Sequence, residues 1–278
     1  MPSKRLAATA LLCAALATTA TACGGETKPA PKAAGTATAS ASATASASAT
    51  SSPTPAALAV DTLSAGEIAK QARAATAALS SVKVVGTVTD EGETTSLSLV
   101  ADRKGNCAGT VSVPKMGQVE ILRTNTQIWL KPDTAFWTAM ATQQGNAKIA
   151  PQLAELLKGR YLTGGPNDKV VTQTAEVCNV VEGITKEDDT PSTYAKGSAG
   201  TTNGYKTFSL TATGADGDRS TLQIAAEGKP FLVRIEKADS PQANHMDLSD
   251  FDKPVTVQAP PADNVIDYSV FQNKLKDA

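Results

Sequence analysis

From Val82 onward the apolar residues of this chain return at every second position, and a period of two commits a segment to half-buried strand rather than helix. In VKVVGTVTD, Val82, Val84 and Val88 fall on one side; in TTSLSLVADR, Leu97, Leu99 and Ala101 do, with Ser96 and Ser98 opposite. Asp90-Glu91-Gly92 between the two runs predicts a hairpin turn. Cys107–Val113 and Gln118–Arg123 alternate again across Pro114-Lys115-Met116-Gly117, and Gln127–Lys131 adds a fifth strand. Sequential strands joined by short turns make an antiparallel meander.

Helical spacing flanks this run. Ser64-Ala65-Gly66-Glu67 has the spacing of a capping box, and Leu63, Ile68, Ala72, Ala75 and Leu79 then follow along one helical side. Past the meander, PQLAELLKGRYL places Leu153, Leu156 and Leu157 at helical spacing; Asn167–Val181 is open between loop and short helix, with Val170, Val171, Val177 and Val181 near Cys178. After Pro191 the strands return. TYAKGSAGTT and YKTFSLTAT flank Asn203-Gly204, a dipeptide suited to a type I′ turn. STLQIAAE and FLVRIEKA follow across Gly228-Lys229-Pro230; Leu222 and Ile224 share a face, as do Phe231, Val233 and Ile235. The order helix, meander, helices, meander predicts an α+β fold: one large antiparallel sheet with helices on one face.

The start of the chain has a different character. Lys4 and Arg5 precede an apolar run, Leu6 to Ala17, and small residues lead to Ala20-Thr21-Ala22-Cys23. Residues 1–22 thus have the layout of a secretory signal, and the run falls short of the roughly 20 residues a spanning helix needs. The stretch around Cys23 resembles a bacterial lipobox: Gly24-Gly25 fits the pattern, and Ala20 stands where Leu is usual. That resemblance implies a diacylated Cys23, anchored in the cell membrane on its extracytoplasmic side; the alternative is cleavage after Ala22 and a soluble secreted chain. Two acyl chains anchor stably where one is marginal. From Glu26 to about Val60 the chain is nearly all Ala, Ser, Thr and Pro, too poor in apolar bulk to offset its chain entropy. Residues 23–60 therefore read as a lipidated N-terminus with a disordered linker, open to O-glycosylation, and residues 61–278 as the folded domain.

Composition narrows the chemistry. A formal net charge of −1 leaves no basic face for nucleic acid. With Cys13 in the leader and Cys23 lipidated, Cys107 and Cys178 remain as a pair in an oxidising compartment, where a disulfide is the default. Two cysteines and the single His245 make a poor zinc set, and no other cofactor is implied. His245 lies in the polar stretch SPQANHMD, read as loop, and no G-x-S-x-G accompanies it. Glu187-Asp188-Asp189 reads as a solvated turn, and Gly214-Ala215-Asp216-Gly217-Asp218 as a glycine-rich turn with too few acids for a calcium loop. Nothing here predicts an enzyme.

The C-terminal stretch DLSDFDKPVTV (247–257), followed by Ala259-Pro260-Pro261-Ala262, and the segment WLKPDTAFW (129–137) resemble actinobacterial lipoproteins of the LppX/LprG type. The resemblance spans about residues 61–270. It implies a LolA/LolB-like fold, a curved half-barrel sheet wrapped around helices, with a lipid or lipoglycan held in an apolar cavity between them. The lining would come from the inward strand positions: Val84, Val88, Leu97 and Leu99, then Val111, Val119 and Ile121 of the first run, and Phe208, Leu210, Leu222, Ile224, Val233 and Ile235 of the second. Alternation is met equally by a hollow and by a filled core. Aromatic residues, the usual fillers of wide gaps, are only 4% of the chain, which favours space; Ala-rich helices that pack close favour filling. The expected carrier is a monomer, tethered to the membrane by its anchor. A non-catalytic docking module with a solid core is the alternative, which would show an exposed apolar or aromatic patch, with Trp129, Phe136 and Trp137 as candidates for it.

Overall fold

The computed structural model describes residues 57–143, 145–165, 168–179, 183–184, 192–240 and 244–270. The leader, Cys23, most of the linker, and Glu187 to Asp189 lie outside these residues.

Ser64 starts the first helix, α1 (Ala65–Ala77), by the predicted capping box: its Oγ accepts from the Glu67 amide at 3.2 Å, and Glu67 accepts from the Ser64 amide at 2.8 Å. The helix buries Ile68, Ala69, Ala72 and Thr76. The first meander follows as β1 (Ser81–Asp90), β2 (Glu93–Asp102), β3 (Cys107–Val113), β4 (Gly117–Arg123) and β5 (Ile128–Pro132). Its first turn carries Glu91 at φ 49° and Gly92 at φ 80°, the pair of positive angles a type I′ turn requires. Then come α2 (Thr134–Gln143), α3 (Ala150–Leu157), a short strand β6 (Tyr161–Thr163) and α4 (Lys169–Ala175), which runs into a 3₁₀ turn at Glu176–Asn179. The second run is β7 (Thr193–Thr202), β8 (Tyr205–Thr213), β9 (Arg219–Ala225), β10 (Leu232–Lys237), β11 (His245–Ser249) and β12 (Val265–Asp267). Asn203 at φ 52° and Gly204 at φ 83° make the predicted β7–β8 turn.

All twelve strands form one sheet, in the order β12-β6-β5-β4-β3-β2-β1-β11-β10-β9-β8-β7. The two meanders join where β11, late in the chain, pairs antiparallel with β1, Val84 facing Leu248. The architecture is α+β, an open curved sheet with helices packed into one side. Its curvature can be read from one contact. Asn203, in the β7–β8 turn, donates to Asp247 of β11 at 2.6 Å. On a flat sheet three strand spacings, about 14 Å, separate β8 from β11, so this corner must coil back.

The sequence expectations change at three places. The sheet is not wholly antiparallel: β12 pairs parallel with β6, Ile266 beside Leu162. Gly159 at φ 72° follows the end of α3, so Tyr161–Thr163 leave the helical stretch and become a strand. His245 is not in a loop; it opens β11 and pairs with Thr87 of β1.

Cys107 of β3 and Cys178 of the 3₁₀ turn are joined by a disulfide, with Cα atoms 5.8 Å apart. It fastens the cover of α4 and its 3₁₀ extension to the sheet. A loop with a sequence separation of 71 corresponds to about 4 kcal/mol in the chain-entropy model.

Candidate functional site

Pairing register assigns the strand residues to faces, because partners across a ladder project to the same side. The face that shares its core with Ile68 of α1, Trp137 of α2, Leu157 of α3 and Val171 of α4 is the inner one. Its side chains form rows across the strands. With the β1–β2 turn taken as the upper end, the lowest row runs Val82, Ala101, Cys107, Arg123, Ile128. The middle row runs Leu248, Val84, Leu99, Gly109, Ile121, Leu130, Leu162. The upper row runs Leu222, Ile235, Met246, Gly86, Leu97, Val111, Val119, Pro132.

Burial differs between the rows. Every side chain named in the middle row is at most 2% exposed, and Leu99 occupies the space over Gly109, where an added Cβ would sit 2.0 Å from the Ser98 carbonyl oxygen. The upper row is only half covered in its centre: Ile235, Met246, Leu97 and Val111 are partly exposed, and Val88, one step higher on β1, is 40% exposed. Between Met246 and Leu97 stands Gly86, where a Cβ would lie 2.2 Å from the His245 carbonyl oxygen. The close approach of β1 and β11 demands glycine there, because the neighbouring backbone fills the space a side chain would take.

The thirteen expected lining residues divide accordingly. Val84, Leu99, Ile121, Leu210 and Ile224 are sealed in the core, and Val119, Leu222 and Phe208 are buried with them. Leu97, Val111 and Ile235 are partly exposed along the upper row, and Val88 lies above it. Val233 sits at an irregularity of β10. A bulge between Leu232 and Arg234 shifts the register, so Leu232 and Ile235 pair with the inward residues Ile224 and Leu222, and Val233 is the extra residue between them. Val233 is fully buried within that bulge and outside the main core cluster. The three aromatic candidates of the docking alternative form no exposed patch: Trp137 is sealed under the sheet, Phe136 is half-buried, and Trp129 is buried on the outer face, beside Leu122.

The outer face carries polar features that alternation did not single out. Two shallow clefts of about 330 and 310 Å³ share Thr110 and Gln118, so they run on from one another. One end is floored by hydroxyls of Thr87, Ser96, Ser98 and Ser112 beside His245; the other holds Glu120, Lys131 and Lys158. Lys131 pairs with Glu120 at 2.5 Å and lies 4.9 Å from the centre of the Tyr161 ring. The hydrogen bond to Glu120 holds the Lys131 ammonium above its ordinary pKa, and burial, then the same carboxylate, push the Tyr161 phenol up. Arg234 donates to both oxygens of Asp247, at 2.5 and 2.8 Å. His245 Nδ1 lies 3.1 Å from Thr87 Oγ1, with Asp247 at 3.9 Å from Nε2. Among the described residues no group of three or more His, Cys, Asp or Glu is placed to hold a metal, and no helix is long and apolar enough to cross a membrane.

Among solved structures, this chain is similar to the lipoprotein LppX of Mycobacterium tuberculosis: 17% identity over 69% of this chain and 97% of that one, TM-score 0.41. It is also similar to an uncharacterized conserved protein of Thermus thermophilus (10% identity, 74% of this chain, 99% of that one, TM-score 0.33). A third is a putative outer membrane lipoprotein-sorting protein domain from Vibrio parahaemolyticus (12% identity, 68% of this chain, 93% of that one, TM-score 0.20). No protein-family model and no curated protein matches the chain. LppX is a lipoprotein of the type that the C-terminal motif resembles.

Proposed function

We propose that this protein is a lipid-anchored envelope lipoprotein, held at the extracytoplasmic face of the membrane through Cys23, that binds or carries a lipid or other amphiphile. The ligand's apolar part lies along the upper row of the inner sheet face. One observation carries the reading: Ile235, Met246, Leu97 and Val111 form a half-covered apolar row on either side of Gly86, directly above a row that is fully buried. Contiguous apolar surface left uncovered marks an interaction site, and concave apolar walls with few polar groups suit an aliphatic ligand. The reaction chemistry is absent from this row, which is apolar throughout.

Native mass spectrometry of the full chain released from membranes tests the proposal. Copurifying lipid is expected with the wild type and is expected to be lost in Leu97→Trp and Val111→Trp, which put bulk onto the half-covered row. Lipid-free wild-type protein, or unchanged lipid in both variants, would sink it. Incorporation of labelled palmitate that disappears in Cys23→Ser tests the anchor separately.

A second reading, a tethered module that docks an envelope partner without lipid, is favoured by β7. This sheet-edge strand is ten residues long and exposed along nearly its whole length, whereas the opposite edge, β12, has three residues. A long open edge offers unpaired backbone groups to an added strand. Cross-linking from β7 in intact cells that captured one partner, together with lipid-free protein, would favour it.

A further inference from the structure

At the lower end of the sheet a charged side chain interrupts the apolar face. Arg123 pairs with Cys107 on one side and Ile128 on the other, both inner-face residues. Only one arm of its fork is engaged: Nη1 donates to the Asn179 side-chain oxygen at 3.0 Å and to the Ala175 carbonyl at 3.4 Å. Among the described residues no carboxylate pairs with it, and its Nε and Nη2 have no partner. A half-exposed guanidinium keeps its remaining donors available to an anion.

Arg123 lines a cleft of about 550 Å³, the size of a small-ligand site, between the β4–β5 turn, the strand end at Thr163 and α4. The turn adds Asn125, Thr126 and Gln127, whose side chains bring amide and hydroxyl donors to the rim. Ile128 and Val171 give the same cleft an apolar wall. We propose that this cleft binds a phosphoryl group, with the free edge of Arg123 as its cation and the turn's donors meeting the remaining oxygens. A guanidinium fork matches two phosphate oxygens at once, and a tetrahedral group leaves further oxygens for the turn. The apolar wall favours a phosphoryl group carried on an apolar body, a phospholipid headgroup, over a free phosphorylated solute. The site lies at the opposite end of the strands from the upper row, so it stands whether or not that row holds lipid. Glu176, exposed on the rim, opposes an anion.

Isothermal titration of the full chain in nonionic detergent tests the site, using glycerol 3-phosphate and dihexanoyl phosphatidylglycerol below its micelle concentration. Saturable binding that weakens with added salt is expected for both, tighter by tenfold or more for the lipid. Equal affinities would assign the site to free phosphorylated solutes. Arg123→Gln is expected to weaken both by at least tenfold, and Glu176→Gln to strengthen them. Because Arg123 also bonds the end of α4, Gly165→Leu serves as the second variant. Gly165 lines the cleft with open space around its Cα and does not touch Arg123's bonds, so the new side chain should block binding with the fold intact. Absence of saturable binding to either probe, or wild-type affinity in both Arg123→Gln and Gly165→Leu, would overturn the proposal.

Discussion

Asp247 shows how a single side chain ties distant parts of this sheet together. It sits on β11, accepts both arms of the Arg234 fork, and receives the Asn203 amide from the coiled corner of the β7–β8 hairpin. Burial alone would raise its pKa; the hydrogen bonds from Arg234 and then Asn203 outweigh it and hold the carboxyl below the ordinary aspartate value. A carboxyl depressed in the folded state contributes stability that is complete above its unfolded pKa of about 4 and is lost as pH falls through the lower folded value. Urea unfolding is therefore expected to show wild-type stability falling steeply below pH 4. Asp247→Asn should be weaker by about 1–2 kcal/mol at pH 7, since the site is only partly buried, and should show a shallower acid decline. Parallel acid declines in the two proteins would assign the effect elsewhere. None of this was legible in the sequence. Asp247 stood out there only as part of a C-terminal motif, because a contact between a turn and a strand some forty residues away follows from sheet coiling, which local pattern does not encode.

Among the elements, those set by local chemistry were legible and those set by packing were not. The capping box at Ser64 and Glu67, the positive-φ turns at Glu91-Gly92 and Asn203-Gly204, and the alternating strands of the first meander all follow from short-range rules. The β10 bulge escaped, since the apolar run Phe231-Leu232-Val233 does not say which residue is extra and only pairing with β9 reveals it. So did the parallel β12–β6 pair, whose three-residue strands are too short to show a period. The cap supports a direct measurement. Ser64→Ala should cost about 1 kcal/mol in urea unfolding, and Glu67→Ala about the same or less, because each removes one side of a reciprocal pair. The double variant should cost less than the sum of the two. Strict additivity would mean the two halves do not support one another.

For the folded unit as a whole, alternation left open whether the space between sheet and helices is filled or hollow, and burial differs from row to row. The middle row is packed, with Leu99 seated over Gly109; the upper row is half covered around Gly86. The same residue type, leucine on one strand two positions apart, is therefore sealed at one position and partly exposed at the other, and on the proposed function the two should respond differently. Leu99→Ala removes a sealed side chain and should cost about 2–5 kcal/mol through lost transfer energy and a residual cavity. Leu97→Ala, at a partly exposed position, should cost roughly 1 kcal/mol or less. Lipid retention should follow the reverse order: Leu99→Ala keeps its ligand while folded, and Leu97→Ala loses it. Unfolding midpoints read beside native mass spectra separate the two effects. Equal destabilisation by both variants would mean that the helices close the upper row in solution. Equal loss of lipid would place the ligand deeper, between sheet and helices, where the middle row would have to part to admit it.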